Sequence, residues 1–221
     1  MTGSMSDIAT DTATLAEREL HAAPALTPAA MATRAAIMDT ADRLFRTLGY
    51  QKTTVADIAR DLRMSPANVY RFFPSKAAIT EAIADRLLEQ IVTAAWAVAR
   101  GPGTPPDRLR ALFRLLQEQT VALFFHERRM HDMVATALEE HWPAVDRYVQ
   151  AIDDAFAHIV RDGTAAGDFG DMEPERAARM VHGTCVLFTH PTMVQQCQDA
   201  KDLPTIARDM AEFCLRALRP D

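Results

Sequence analysis

One stretch constrains this chain more than any other: Thr54 to Lys76, TVADIARDLRMSPANVYRFFPSK. Val55, Ile58, Ala59 and Leu62 recur at helical spacing, which predicts a short helix with one apolar face. Arg63 and Met64 follow as a tight turn. Ser65 is placed to cap a second helix, and Pro66 suits its first position, where a missing N–H costs nothing. That helix, from Pro66 to about Phe72, displays Asn68, Tyr70 and Arg71, all hydrogen-bond donors. Ser75 then caps a third helix that starts at Lys76. Two short helices joined this tightly are a helix-turn-helix candidate, whose second helix would lie in a DNA major groove.

The charge of the whole chain, −6 over 221 residues, speaks against a DNA partner. Its distribution reverses that inference. Residues 33–80 carry Arg34, Arg43, Arg46, Lys52, Arg60, Arg63, Arg71 and Lys76 against Asp39, Asp42, Asp57 and Asp61, a balance of +4. Residues 1–32 balance to −3 and 81–221 to −7. Salt screens distant charge, so a basic module on an acidic body still meets phosphate.

The remaining chain reads as helix throughout, and the expected fold class is all-α. Gly is scarce, Ala abundant, and aromatics make up only 7%. Residues 1–30, rich in Ala, Thr and acidic residues, are expected to be a disordered tail. A first helix is expected from Thr33 to Leu48, with Ile37, Ala41, Leu44 and Phe45 inward and Gly49 ending it. A long helix follows from Lys76 to Arg100, broken by Gly101-Pro102-Gly103-Thr104-Pro105-Pro106. Helices are expected over 107–126, 127–140 and 143–162, then a loop over 163–171. Pro174 opens another helix, which Pro191 interrupts, and Pro204 opens the last. Cys185, Cys197 and Cys214 lie far apart with no CxxC pair, which fits a reducing compartment. With no membrane-length apolar run and no signal segment, a cytoplasmic location is expected.

The stretches IMDTADRLFRTLGY (37–50) and TTVADIARDLRMSPANVYRFFPSK (53–76) resemble the N-terminal module of the TetR family of bacterial transcriptional regulators. The match combines a helix-ending glycine, a threonine before the second helix and an aromatic–lysine junction into the fourth. Beyond residue 76 the chain is similar to the family only in length and helical order. The resemblance implies a helix-turn-helix DNA-binding domain over 31–78 and an effector-binding and dimerisation domain over 79–221. It implies a homodimer on a palindromic operator, usually repressing, and a small-molecule effector that shifts the spacing of the two DNA modules. Carried over by position, Thr54, Tyr70 and Lys76 fall where phosphates are usually touched, and Ala67, Asn68 and Arg71 where base-facing contacts are made. Phe72 departs from the family, which commonly has His there, and this removes a polar contact near the backbone.

Each of these residues also has a plainer reading. Asn68 could make a local hydrogen bond, Arg71 could be a solvated charge, and the Tyr70 ring could pack inward while its hydroxyl reaches a phosphate. Arg34, Arg46 and Lys52 are secondary electrostatic candidates. In the body, Phe113, Phe124, Met130, Met133, Trp142, Tyr148, Phe156 and His182 are candidate linings of an effector pocket, and the mix suggests a mostly apolar effector. The plainer reading of each is core. Dimerisation is assigned to the last two long helices through Val181, Leu187, Phe188, Ile206, Met210, Phe213 and Leu218, which could equally close the monomer core. His182 and Cys185 are three apart on one helix, but no metal-ligand spacing, cofactor motif or activated nucleophile is evident, so neither metal, cofactor nor enzyme activity is expected. The competing function is a helical protein-interaction module that does not bind DNA.

Overall fold

The structure, a computed structural model, describes residues 27–122, 142–190, 193–194 and 202–220. All regular structure among them is helical: α1 (Pro28–Leu48), α2 (Val55–Asp61), α3 (Pro66–Tyr70), α4 (Lys76–Ala99), α5 (Pro105–Val121), α6 (Pro143–Ala166), α7 (Pro174–Thr189) and α8 (Leu203–Ala217). The chain divides into two compact units, Met1–Ala36 and Ile37–Asp221. The described part of the first is the opening of α1, which begins earlier than its hydrophobic period does. Thr27 Oγ1 accepts from the Ala30 N–H at 3.3 Å, Pro28 needs no N–H partner, and Ala29, Ala30 and Ala32 favour helix. The expected helix of 127–140 lies outside the described residues.

The second unit holds two buried clusters. One gathers Ile37, Ala41, Leu44 and Phe45 of α1 with Val55, Ile58 and Ala59 of α2, Val69 of α3, Phe73, and Ile79 and Ile83 of α4. Tyr50 sets its ring edge-on to Phe45, with centroids 5.3 Å apart. Trp142, 7% exposed at the start of α6, belongs to this cluster, with Val145 packed against it. The other cluster fills the interior among α4–α8, around Leu109, Phe113, Phe156, Ala178, Phe188 and Leu203.

The expected loop over 163–171 starts late. α6 continues through Gly163 to Ala166 and stops at Gly167, whose φ of 77° is left-handed. Gly163 is inside the helix because a ring sits on it: a Cβ there would lie 2.1 Å from Phe169 Cδ2. Phe169 is 3% exposed, and the Gly170 N–H donates to Leu218 O at 2.8 Å, tying the connection to the end of α8. A glycine that reads locally as a helix breaker serves here as the seat for an aromatic side chain.

Candidate nucleic-acid interface

The helix-turn-helix is assembled from short-range hydrogen bonds. At the start of α2, Thr54 Oγ1 accepts from the Asp57 N–H at 3.2 Å, and Asp57 Oδ2 accepts from the Thr54 N–H at 3.0 Å and hydroxyl at 2.6 Å. This reciprocal capping box satisfies donors that the helix start leaves open. The Thr54 hydroxyl, then its backbone N–H, hold the Asp57 carboxyl below the usual aspartate range. The turn sets Arg63 at φ 54°, left-handed, which costs an L-residue about 1 kcal/mol. Arg63 and Met64 donate their N–H groups back to Arg60 O and Ala59 O at 3.1 and 2.9 Å, which offsets that strain at the helix end. Ser65 Oγ accepts from the Asn68 N–H at 3.2 Å and caps α3.

Val69 is fully buried and fixes α3 by its inner face. The opposite face is open: Ala67 and Arg71 are exposed, and Tyr70 is 52% exposed, so its ring does not pack into the core. Asn68 is half-buried, and its Nδ2 lies 3.7 Å from Met64 Sδ, a weak local contact. Thr54 is exposed, but both its hydroxyl and its N–H belong to the capping box.

Lys76 has a role that its position in the sequence does not announce. Its Nζ donates to Tyr50 O at 2.7 Å and Thr53 O at 3.0 Å, and lies 4.0 Å from the centre of the Tyr50 ring. One ammonium therefore clamps the α1–α2 connection to the first turn of α4. Burial pushes its pKa down from the ordinary lysine value. No local pattern signals this contact, because its partners lie 26 and 23 residues away.

Ion pairing sorts the charges of the module. All four of its aspartates face an arginine: Arg43 with Asp61, Arg46 with Asp42 at 2.9 Å, Arg60 with Asp57 at 2.8 Å and Arg86 with Asp39 at 2.6 Å. Lys52, Arg63 and Arg71 are exposed and form no ion pair among the described residues. They stand on the α1–α2 connection, in the turn before α3 and at the end of α3. The unneutralised positive charge thus lies at both ends of α3 and on the α1–α2 connection.

In the body, the structure distributes the candidate residues differently from one another. Phe113 and Phe156 are buried and meet edge-to-face, with centroids 5.7 Å apart, and Phe188 closes on Phe113 at 5.9 Å. Phe188, a candidate for the dimer surface, is therefore interior, as are Val181 and Leu218. Ile206 and Met210 are half-buried, while Leu187 and Phe213 are 40% and 63% exposed. Met180 and Val186 join them as exposed apolar residues of α7. Trp142 lies in the helix-turn-helix cluster. His182 Nδ1 pairs with Asp153 Oδ1 at 2.7 Å, linking α7 to α6. Burial, then nearby Cys185, push the Tyr148 hydroxyl well above its ordinary pKa. Phe124, Met130 and Met133 lie outside the described residues. Among the described residues, no three His, Cys, Asp or Glu side chains converge as metal ligands.

Residues 37–83 match the family model of bacterial regulatory proteins of the tetR family, and residues 105–210 that of the tetracyclin repressor-like C-terminal domain. A TetR-family transcriptional regulator from Pectobacterium atrosepticum superposes with a TM-score of 0.69 at 17% identity, covering 89% of this chain and 99% of that one. A TetR-family regulator from Mesorhizobium loti gives 0.67 at 18% identity, with 87% and 98% covered. FadR from Bacillus subtilis, solved with stearoyl-CoA, gives 0.58 at 18% identity, with 83% and 98% covered. At these identities the structural likeness is one of fold. No curated protein matches the chain.

Proposed function

Because the chain belongs to the TetR family of bacterial regulatory proteins, we propose that it is a sequence-specific repressor that leaves a palindromic operator when a small effector enters its helical body. The observation that carries this reading is the pairing pattern of the module. Its carboxylates are neutralised by arginines, whereas Lys52, Arg63 and Arg71 form no ion pair among the described residues, the latter two at the ends of α3. Cations left exposed and unpaired are what a phosphate backbone requires. In this reading α3 enters the major groove, with Ala67, Asn68 and Arg71 toward base edges and Tyr70 toward a phosphate. Thr54 and Lys76 meet the backbone at the margin, and their internal hydrogen bonds set the height of α2 and α4 against it.

Two-fold symmetry would complete the arrangement. Met180 and Leu187 on α7 and Met210 and Phe213 on α8 are apolar groups at helical spacing, several of them exposed. Pairing this face with that of a second copy would bury it and set two recognition helices about 34–36 Å apart, one turn of DNA. Effector binding is supported by FadR, a relative in fold whose structure contains stearoyl-CoA. A mostly apolar effector and a cytoplasmic location follow from the same reading. No helix among the described residues is long and apolar enough to cross a membrane.

The test is fluorescence anisotropy on pooled genomic fragments across salt concentrations, with wild type and an Asn68→Ala/Arg71→Ala variant. Saturable binding to a few fragments, lost in the variant, is the expected result. Equal binding to all fragments, unchanged in the variant, would sink the reading and favour a protein-docking role for the module.

A further inference from the structure

The interior among α5, α6 and α7 is packed by Phe113, Phe156 and Phe188, but a cavity of about 640 Å³ opens between α5 and α8. Its composition is unlike that of an ordinary packing defect. Phe113 and Ala211 supply an apolar floor, while three arginines, Arg110, Arg114 and Arg208, and one carboxylate, Glu118, also line it. Gln117 lines it as well. This side chain is 4% exposed and has no hydrogen-bond partner among the described residues. Its amide lies on the cavity wall, where it offers a ligand both donors and an acceptor.

The three guanidinium groups are not equivalent. Arg110 is committed: it grips Glu212 with two nitrogens, at 2.6 and 3.3 Å, and touches Asp107 at 3.2 Å. Those contacts raise its pKa, Glu212 foremost. Among the described residues, Arg114 comes no closer than 3.9 Å to Glu118, and Arg208 meets only its chain neighbour Asp209, at 3.2 Å. Both forks are therefore open for a bidentate acceptor, and both stand at the solvent side, 72% and 70% exposed.

We propose that the α5–α8 cavity binds a small organic acid with an apolar body, whose carboxylate is held by Arg114 and Arg208 and whose body lies on Phe113 with a polar atom against Gln117. A wholly apolar ligand would make no use of Gln117, Arg114 and Arg208, and a small inorganic anion would leave the floor empty. The volume accommodates a ligand of drug-like size. The regulatory consequence, though not the binding, rests on the repressor reading: a ligand wedged between α5 and α8 would change the setting of α8, whose outer face carries Phe213.

The experiment is isothermal titration calorimetry of the full-length protein with octanoate and 4-phenylbutyrate. Octan-1-ol and 4-phenylbutan-1-ol serve as matched uncharged probes. The acids are expected to bind at least roughly tenfold more tightly than the alcohols, and Arg114→Gln/Arg208→Gln to remove most of that difference. Gln117→Leu is expected to weaken both acids while the far-ultraviolet circular dichroism stays that of the wild type. Alcohols binding as well as acids, acids binding the arginine variant unchanged, or neither acid binding in the millimolar range would each overturn the proposal. Operator binding is measured separately on ligand-free protein. Acid binding without specific DNA binding would leave the site standing and remove the repressor reading instead.

Discussion

The helix-turn-helix and the helical body are stabilised over different distances along the chain. In the module, the caps and turns that set α2, α3 and α4 join residues three to five apart: Thr54 with Asp57, Ser65 with Asn68, Ala59 with Met64, and Ser75 with Ala78 at 3.0 Å. In the body they join distant elements. Arg108 Nη1 holds Ala99 O at 2.7 Å and Asp162 at 2.8 Å, Arg110 reaches across to Glu212, and Gly170 reaches Leu218. The lesson concerns tolerance. A short-range cap is restored by any residue with the same chemistry, whereas a long-range contact depends on two helices arriving at one orientation.

The largest effect expected is at the place where this contrast fails. Trp142 opens α6, yet its side chain belongs to the module's core. Trp142→Ala should lower unfolding free energy by about 3 kcal/mol, measured by chemical denaturation, because a large buried ring is removed. It should also weaken DNA binding, since the α1–α4 packing that supports α3 is loosened. Stability lost with DNA affinity untouched would mean that the module's geometry does not depend on α6.

A smaller effect is expected at Gly163. Gly163→Ala places a Cβ into the Phe169 ring and should cost about 2 kcal/mol as an overpacked site. In a Phe169→Ala background the same change should cost nothing, or stabilise slightly as alanine does in a helix interior. A double-mutant cycle with no coupling would show that the ring shifts freely, and the connection after α6 would then be as local in origin as the module's turns.

The smallest effects belong to the caps. Thr54→Ala should cost about 1 kcal/mol at neutral pH. Asp57, the other half of the box, carries a pH signature. Its folded-state pKa is depressed, so its contribution is present above the ordinary aspartate pKa of about 3.9 and is lost as pH falls through the lower folded value. Wild type and Asp57→Asn should therefore differ in stability at neutral pH and converge in acid. Curves that stay parallel down to strongly acidic pH would show that the carboxylate charge is not what the cap uses.

Much of the fold was legible because it is written in near-neighbour chemistry. The buried faces of α1 and α2 follow the period of Ile37, Ala41, Leu44, Val55 and Ile58, and the starts of α2, α3 and α4 follow their Thr and Ser caps. The candidate DNA face was legible for the same reason, since Ser65 and Pro66 fix the start of α3 and Val69 its inner side. The clamp made by Lys76, the glycine seat at Gly163 and the placement of Trp142 were not, because each depends on a partner far along the chain or across the fold.

Phe188 and Phe213 mark the boundary between the two kinds of information. Both sit late in amphipathic helices, and the sequence alone assigns both to the same apolar surface. Sequence period determined that each lies on an apolar stripe. Tertiary packing decided that Phe188 is wholly buried against Phe113 while Phe213 stays 63% exposed. The physical reason is that an apolar stripe wider than its contact can be satisfied by more than one rotation about the helix axis, and only the neighbouring helices select which edge of the stripe turns inward.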